Sequence, residues 1–292
     1  MNLMKTPPAT CRFHHRLRVR WSEVDMQKIV FNAHYLTYLD TAMADYWRAM
    51  ALPYEASLAA LDGDLYVKKS TLEYHGSARL DDQLDVWLCC QHIGKSSLVF
   101  KGDIRCADRS LVSGELIYVF ADPTSQKSRP VPPVLREVLL GFEAGEPMLE
   151  LSVGDWDTLG EGARAVRHAV FVQEQQIPLA LEQDQADARA VHVLVRNRLG
   201  LPVATGRLLQ AAPGVGQIGR LAVNRVLRGS GMGQVALQAL LTAARQRGDH
   251  EVLLHSQASA IDFYLRQGFC TRGEPFTEAG IAHQEMVVTL TS

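Results

Sequence analysis

The sequence lacks a long apolar run, an excess of one charge and an ordered cysteine pattern. No stretch reaches the ~18 consecutive apolar residues of a transmembrane helix, so no membrane partner is expected. A net charge of −2 leaves no basic footprint, which argues against nucleic acid. The five cysteines, Cys11, Cys89, Cys90, Cys106 and Cys270, are odd in number and form no Cys-x-x-Cys pair. Neither a disulfide framework nor a zinc site is indicated, and no metal is expected. Met1–Thr10 carries Lys5, Pro7 and Pro8 without an apolar segment, unlike a secretion signal. A cytoplasmic protein is the expectation. There is no Gly-Lys-Ser/Thr, no dinucleotide-type glycine spacing and no internal repeat.

What is present is an ordinary globular composition, 47% hydrophobic and 21% charged, over 292 residues. That length accommodates two domains with their own cores. From Asn32, the apolar residues Leu36, Leu39, Met43, Tyr46, Trp47 and Met50 recur every three or four positions. This spacing predicts one long helix, with Asn32 as a suitable N-cap and Pro53 marking the end. Apolar stretches at 65–74, 83–93, 97–106 and 111–122 follow, separated by turn residues, and predict an antiparallel sheet. The first half therefore reads as α+β, a long helix on an antiparallel sheet. Residues 122–147 are punctuated by Pro123, Pro130, Pro132, Pro133 and Pro147, with a short helix possible at 134–142. We place the first domain at 11–137, a linker at 138–148 and a second, α/β domain at 149–292. In the second, helices are expected at 156–172 and 258–267 and a last strand at 285–290.

Within the second domain, 217–247 reads as strand, glycine turn and helix. Arg228-Gly229-Ser230-Gly231-Met232-Gly233 lets the backbone approach a ligand closely. The N–H groups at the start of the following helix lack intrahelical partners, and the helix dipole stands behind them. Such a turn suits a phosphate. An ordinary strand–helix connection would look similar.

Two resemblances narrow these readings. Glu23-x-Asp25-x-x-Lys28-Ile29-Val30-Phe31-Asn32-Ala33-His34-Tyr35-Leu36 resembles the hotdog-fold acyl-CoA thioesterases of the 4-hydroxybenzoyl-CoA thioesterase type, over roughly 11–137. The resemblance implies that Asp25 attacks the thioester or activates water. It implies that a backbone N–H near Asn32 polarises the carbonyl, and that substrate binds between subunits of a homo-oligomer. Glycine often stands in that family where this chain has Lys28. A plainer role for Asp25 is charge–dipole stabilisation of the helix start. His34 and His75 are read as structural.

In the second half, Arg228-x-x-Gly231-x-Gly233, the preceding Arg220-Leu221-Ala222-Val223 and the downstream Gln257-x-x-Ala260-x-x-Phe263-Tyr264-x-x-x-Gly268-Phe269 together resemble the GNAT acetyltransferases. The nearest pattern is the ElaA-like branch, echoed by Val170-Phe171-Val172-Gln173-Glu174-Gln175, Leu254-His255-Ser256-Gln257 and Gly280-Ile281-Ala282-His283. The resemblance implies direct transfer from acetyl-CoA to a small amine or a peptide. Arg228, Gly229, Ser230, Gly231, Met232 and Gly233 would hold the CoA pyrophosphate, with Gln257 in the second signature. Leu221 and Val223 would pair with the pantetheine arm as a strand does. Tyr264 would protonate the departing thiolate; its alternative role is packing beside Phe263 and Phe269. Glu174, Glu182, His255 and His283 are alternatives for the general base, with a water chain a further one.

Both halves are thus expected to handle CoA thioesters, acyl-CoA in the first and acetyl-CoA in the second. The rival expectation is that one half is an oligomerisation scaffold or an acetyl-CoA sensor.

Overall fold

The computed structural model describes residues 11–278 and 280–290. The reading of Met1–Thr10 lies outside the described residues. The chain divides into two compact units between Met148 and Leu149.

Unit 1 runs β1 (Phe13–Arg18), α1 (His34–Ala49), α2 (Tyr54–Ala60), β2 (Asp64–Tyr74), β3 (Gln83–Ile93), β4 (Ser97–Cys106), β5 (Arg109–Ala121) and α3 (Pro133–Ala144). Its sheet has the order β1-β3-β4-β5-β2, antiparallel throughout. α1 buries Tyr35, Tyr38, Leu39, Ala42, Met43, Tyr46 and Trp47, the stripe expected from the helical spacing. The helix sits close to the sheet because Gly102 and Gly114 face each other across β4 and β5. A Cβ at Gly102 would lie 2.4 Å from Leu39 Cδ2, and one at Gly114 would lie 3.0 Å from Leu39 Cδ1. Gly102→Ala would therefore force the Leu39 side chain of the central helix to shift.

Two local expectations change here. Asn32 is not the N-cap: Ala33 holds that position, without a side-chain cap. A tight turn comes first, in which the His34 N–H donates to the Phe31 carbonyl at 2.9 Å. The stretch 138–148 expected as a linker is helical as far as Ala144, where α3 buries Val138, Leu139 and Phe142. The prolines mark the start of α3 rather than an open tether, since proline is tolerated in a first helical turn.

Unit 2 runs β6 (Leu149–Gly154), α4 (Trp156–Arg167), a π-helical turn (His168–Glu174), α5 (Leu179–Glu182), β7 (Val191–Asn197), β8 (Pro202–Ala212), β9 (Val215–Val223), α6 (Met232–Arg247), β10 (Glu251–Gln257), α7 (Ile261–Leu265), β11 (Cys270–Glu278) and β12 (Ile281–Thr289). The sheet order is β11-β12-β10-β9-β8-β7-β6, with β9 and β10 parallel and the other pairs antiparallel. Strands β6 and β11 were not anticipated. β11 is almost entirely exposed and carries no alternating apolar signal. The helix expected at 156–172 leaves α-geometry after Arg167, and that expected at 258–267 is a 3₁₀ turn followed by the short α7.

Candidate functional sites

In unit 1 the acidic motif folds into a small closed loop before α1. Val24 and Val30 form an antiparallel bridge. Within the loop, the Asp25 N–H donates to the Ile29 carbonyl and the Lys28 N–H to the Asp25 carbonyl, both at 2.9 Å. Lys28 takes a left-handed φ of 62°. Glycine meets that requirement without steric cost, which explains why it is common at this place in the resembled family. Asp25 is half-buried, and its Oδ1 accepts the Gln27 N–H at 2.8 Å. Its hydrogen-bond partner is this local turn.

The loop is bound to the helix from several sides. The Val30 N–H donates to the Ala78 carbonyl at 2.9 Å. The Ala78 N–H in turn donates to the Tyr35 hydroxyl at 2.8 Å. Glu23, buried, accepts the Tyr38 hydroxyl and the Arg20 N–H, each at 2.7 Å. Burial and the Glu23 carboxylate push the Tyr38 phenol up, so it remains a donor. The Tyr74 hydroxyl donates to the Asn32 carbonyl at 3.2 Å. No hydrogen bond among the described residues uses the Asn32 or Ala33 N–H, and both residues are exposed. A half-buried carboxylate and free helix-start donors are thus presented by one short segment. Tyr38 and Tyr74 carried no sequence signal for this role beyond nearness to the motif or to the helix, whereas Glu23 heads the motif.

In unit 2 parallel pairing of β9 with β10 runs from Val215–Glu251 to Ile218–Leu254 and no further. Beyond that point β9 pairs only with β8, through Ala222 and Val223, and Arg220 sits at a register shift with φ 53°. Gly219–Val223 therefore offers an open strand edge toward β10, at the place where Leu221 and Val223 were expected to receive an extended arm.

The glycine turn follows. Gly229 and Gly231 have φ of 82° and 88°, conformations L-residues rarely adopt, and a Cβ on either would meet open space. Gly231 is the N-cap of α6. The N–H groups of Gly229 through Gly233 are donors in none of the hydrogen bonds described outside helices. Those at the first helical positions have no intrahelical acceptor. Exposed, unused donors at the positive end of a long helix suit an anion.

Arg228, at the edge of the turn, also has a protein partner. Its guanidinium forms a two-point ion pair with Glu174 at 2.6 and 2.7 Å, and it also donates to the Val223 carbonyl at 3.3 Å. It braces the turn against the end of the π-helical segment while staying 43% exposed. The same contact, with its hydrogen bonds first, holds the Glu174 carboxyl below the usual range. A carboxylate so neutralised is a poor base. Next to it, the Gln257 Nε2 donates to Gln175 Oε1 at 3.0 Å. The Phe-Val-Gln-Glu-Gln run thus ties together the glycine turn and the end of β10. π-helical turns recur at functional sites.

Glu182 is equally unsuited as base. It is buried and ion-paired with the buried Arg167. Arg167 also bonds Asp187 at 2.9 and 3.0 Å, and Arg207 bridges Asp187 to Asp184 at 2.8 and 2.6 Å. Arg220 reaches from β9 to the carbonyls of Leu181 and Glu182. This network fastens segment 179–189 to α4, β8 and β9. Burial opposes ionisation of Asp187, but its arginine partners outweigh it and its carboxyl titrates below the usual range. Such clusters are invisible in sequence because their members are scattered over four elements and a connecting segment.

Tyr264 is buried, with its ring edge-on to Phe263 and Phe269 at 5.0 and 5.7 Å. Burial pushes its phenol up to about 12. Its hydroxyl has no hydrogen-bond partner among the described residues. The packing role and a free proton donor therefore coexist in one side chain. Of the four base candidates, His255 and His283 alone lack an arginine partner among the described residues.

Comparison with known proteins divides the chain in the same way. A thioesterase superfamily model matches residues 27–113, and an acetyltransferase (GNAT) domain model matches residues 159–290. The acyl-CoA thioester hydrolase YbgC of Escherichia coli O157:H7 is 30% identical over 124 residues, covering 42% of this chain and 92% of the relative. The uncharacterised N-acetyltransferase YjcF of Bacillus subtilis is 33% identical over 123 residues, covering 42% of this chain and 86% of the relative. The solved structure of Escherichia coli ElaA superposes with a TM-score of 0.44 at 28% identity, covering 48% of this chain and 99% of ElaA.

Proposed function

The chain belongs to the thioesterase superfamily through its first unit and to the GNAT acetyltransferases through its second, and from that premise we propose that it is a bifunctional CoA-thioester enzyme. Unit 1 hydrolyses an acyl-CoA; unit 2 moves an acetyl group from acetyl-CoA to an amine. One observation carries both assignments: each unit presents unused backbone N–H groups at the start of a long helix.

In unit 1 the Asp25 carboxylate attacks the thioester carbonyl or takes a proton from water. The Asn32 N–H receives the developing oxyanion, an interaction of about 3 kcal/mol when well aimed. In unit 2 the N–H groups of Gly229–Gly233 receive the pyrophosphate, and the open edge at Leu221 and Val223 takes the pantetheine arm. Tyr264 donates to the departing sulfur. Arg228 and Gln257 support this site through Glu174 and Gln175 rather than through the ligand. We place the two domains on either side of Met148, in the cytoplasm where CoA esters are available. Unit 1 works as a homo-oligomer, for which the long, exposed edge strand β2 is suited, with Val67 and Tyr74 54% and 52% exposed.

A second reading, with unit 1 as scaffold only, draws on the engagement of Asp25 Oδ1 by Gln27. Free-CoA release from a panel of acyl-CoAs, with and without amines, separates hydrolysis from transfer. Asp25→Asn should lower hydrolysis at least ~10²-fold while sparing transfer. Equal hydrolysis by both proteins removes Asp25 from the chemistry. Gly231→Glu should abolish acetyl-CoA binding by setting a side chain and a charge where the phosphates go, and unchanged affinity removes the turn from the site.

A further inference from the structure

The acceptor side of unit 2 is so far unassigned, and its chemistry follows from one face of the sheet. Along β10, Val252, Leu254 and Ser256 are buried, while Leu253, His255 and Gln257 lie on the opposite, more open face. His255 is therefore one alternation, about 7 Å, from Gln257. Gln257 is the residue tied by Gln175 to the brace behind the glycine turn. Across the ladder His255 pairs with Glu285 and Gln257 with His283; on the next strand Arg272 pairs with Glu285 and Phe276 with His283. All these side chains share the face of His255.

We propose that this strip of β10, β11 and β12 is the acceptor subsite, that it takes a cationic primary amine, and that His255 removes the proton from that amine. The proposal rests on the acetyltransferase reading of unit 2.

Charge supports it first. The groups that share this face with His255 are Glu251 and Gln257 on its own strand, Glu285 and His283 on β12, and Glu278 and Arg272 on β11; Gln175, just past the π-helical turn, reaches Gln257. Arg272 bonds Glu285 at 2.6 Å and Glu251 at 2.9 Å. Glu278, 54% exposed, contacts His255 and no guanidinium among the described residues. Three carboxylates thus stand against one guanidinium, and the strip is negative whenever its histidines are neutral. It repels an anionic acceptor and draws an ammonium group.

The imidazole geometry supports it next. His255 Nδ1 lies 3.4 Å from Glu278 Oε2, and Nε2 lies 3.9 Å from Glu285 Oε2, beyond hydrogen-bond reach. A proton on Nδ1, shared with Glu278, leaves Nε2 as the acceptor, with the Glu285 carboxylate beside it to hold an incoming ammonium. The Phe276 ring lies edge-on to His255 at 4.9 Å and stacks on His283 at 5.9 Å. It supplies an aromatic wall of the kind that attracts cations. His283 Nδ1 is occupied by the Ile281 carbonyl at 2.8 Å, which fixes that ring as part of the wall.

The step balances. The ammonium gives one proton to His255 Nε2, and the freed nitrogen pair forms a C–N bond to the acetyl carbon. The C–S bond then breaks with its electrons going to sulfur. The sulfur takes the Tyr264 proton, and the second proton lost by the nitrogen restores the phenol. The products are the N-acetyl amine, CoA thiol and the proton held by His255.

The test uses the full chain with acetyl-CoA and two acceptors, spermidine as the cationic amine and glutamate as an anionic one, following acetylated product by mass. Spermidine should be acetylated and glutamate should not. His255→Gln should lower kcat for spermidine about 10²-fold and flatten the rise of rate with pH, with acetyl-CoA affinity unchanged. Glu278→Gln should raise KM for spermidine several-fold at similar kcat. His255→Asn provides a second variant with its own acetyl-CoA titration as proof of folding. Acetylation of spermidine by both histidine variants at the wild-type rate and with the wild-type pH profile overturns the proposal alone. So does a preference for glutamate. Failure of the wild-type chain to bind acetyl-CoA overturns the acetyltransferase reading, and this proposal with it.

Discussion

Tyr264→Phe is the perturbation that separates packing from chemistry at the acetyl-transfer site. The substitution keeps the ring, and therefore its edge contacts with Phe263 and Phe269 at 5.0 and 5.7 Å. It removes a hydroxyl that has no protein partner among the described residues, so the folded state loses no hydrogen bond. Unfolding free energy should change by less than ~0.5 kcal/mol. The effect on catalysis is set by the phenol, which burial pushes up to about 12. A free thiol titrates near ~8.5, so complete proton transfer to a water-like thiolate would be uphill by roughly 5 kcal/mol. Tyr264 therefore acts mainly as a hydrogen-bond donor while the C–S bond breaks. The proton crosses only because the sulfur is desolvated too, which raises its own basicity. Loss of such a donor should lower kcat by about 10²-fold, or ~2.7 kcal/mol. The high phenol value also means that the donor remains protonated up to at least pH 10, so the wild-type rate should show no basic limb from this group. The assay is initial-rate acetyl transfer over pH 6 to ~10, with thermal unfolding and acetyl-CoA titration as controls. An unchanged kcat would refute the donor role. A large loss of thermal stability or acetyl-CoA affinity would show that the residue serves packing instead.

Three further outcomes follow from the geometry. Lys28→Gly should stabilise unit 1 by up to about 1 kcal/mol, because a left-handed residue loses its Cβ clash, and denaturant unfolding of the full chain measures it. Arg167→Met should destabilise unit 2 by about 3–5 kcal/mol, since it strands the buried Glu182 and removes one partner of Asp187; a wild-type melting temperature would contradict this. Asp184 is lowered to about 2, by Arg207 first, and Asp187 is also lowered. Depressed carboxylates stabilise the fold fully above their unfolded values and lose that contribution as pH falls through the folded ones. Unit 2 should accordingly lose stability between about pH 4 and pH 2, and should lose less in Asp184→Asn, as read from acid titrations of unfolding.

The sequence by itself determined what periodicity and local motifs encode. The helix over α1 follows from apolar residues three and four apart, and the glycine turn before α6 from residues whose backbone must turn left-handed. The motifs around Asp25 and around Gly231 place two CoA-thioester families in one chain. Helix ends were less legible: Asn32 has the chemistry of a cap, but the turn closed by Phe31 and His34 moves the helix start beyond it. The tertiary structure alone decided which polar groups are left free to work. Glu174 and Glu182 look like bases in sequence; folded, each is neutralised by an arginine from another element, Arg228 in one case and Arg167 in the other. Arg228 itself, adjacent to the phosphate-type turn, is held at the surface by the same pairing. His255 acquires Glu285 from β12 across the ladder, and Glu278 only because β11, an exposed strand without an apolar pattern, pairs onto β12. Periodicity is a property of neighbours along the chain, whereas the state of a charge depends on what lies across space from it. That is why the elements could be read in order, while the acid, the base and the brace needed the sheet to be assembled.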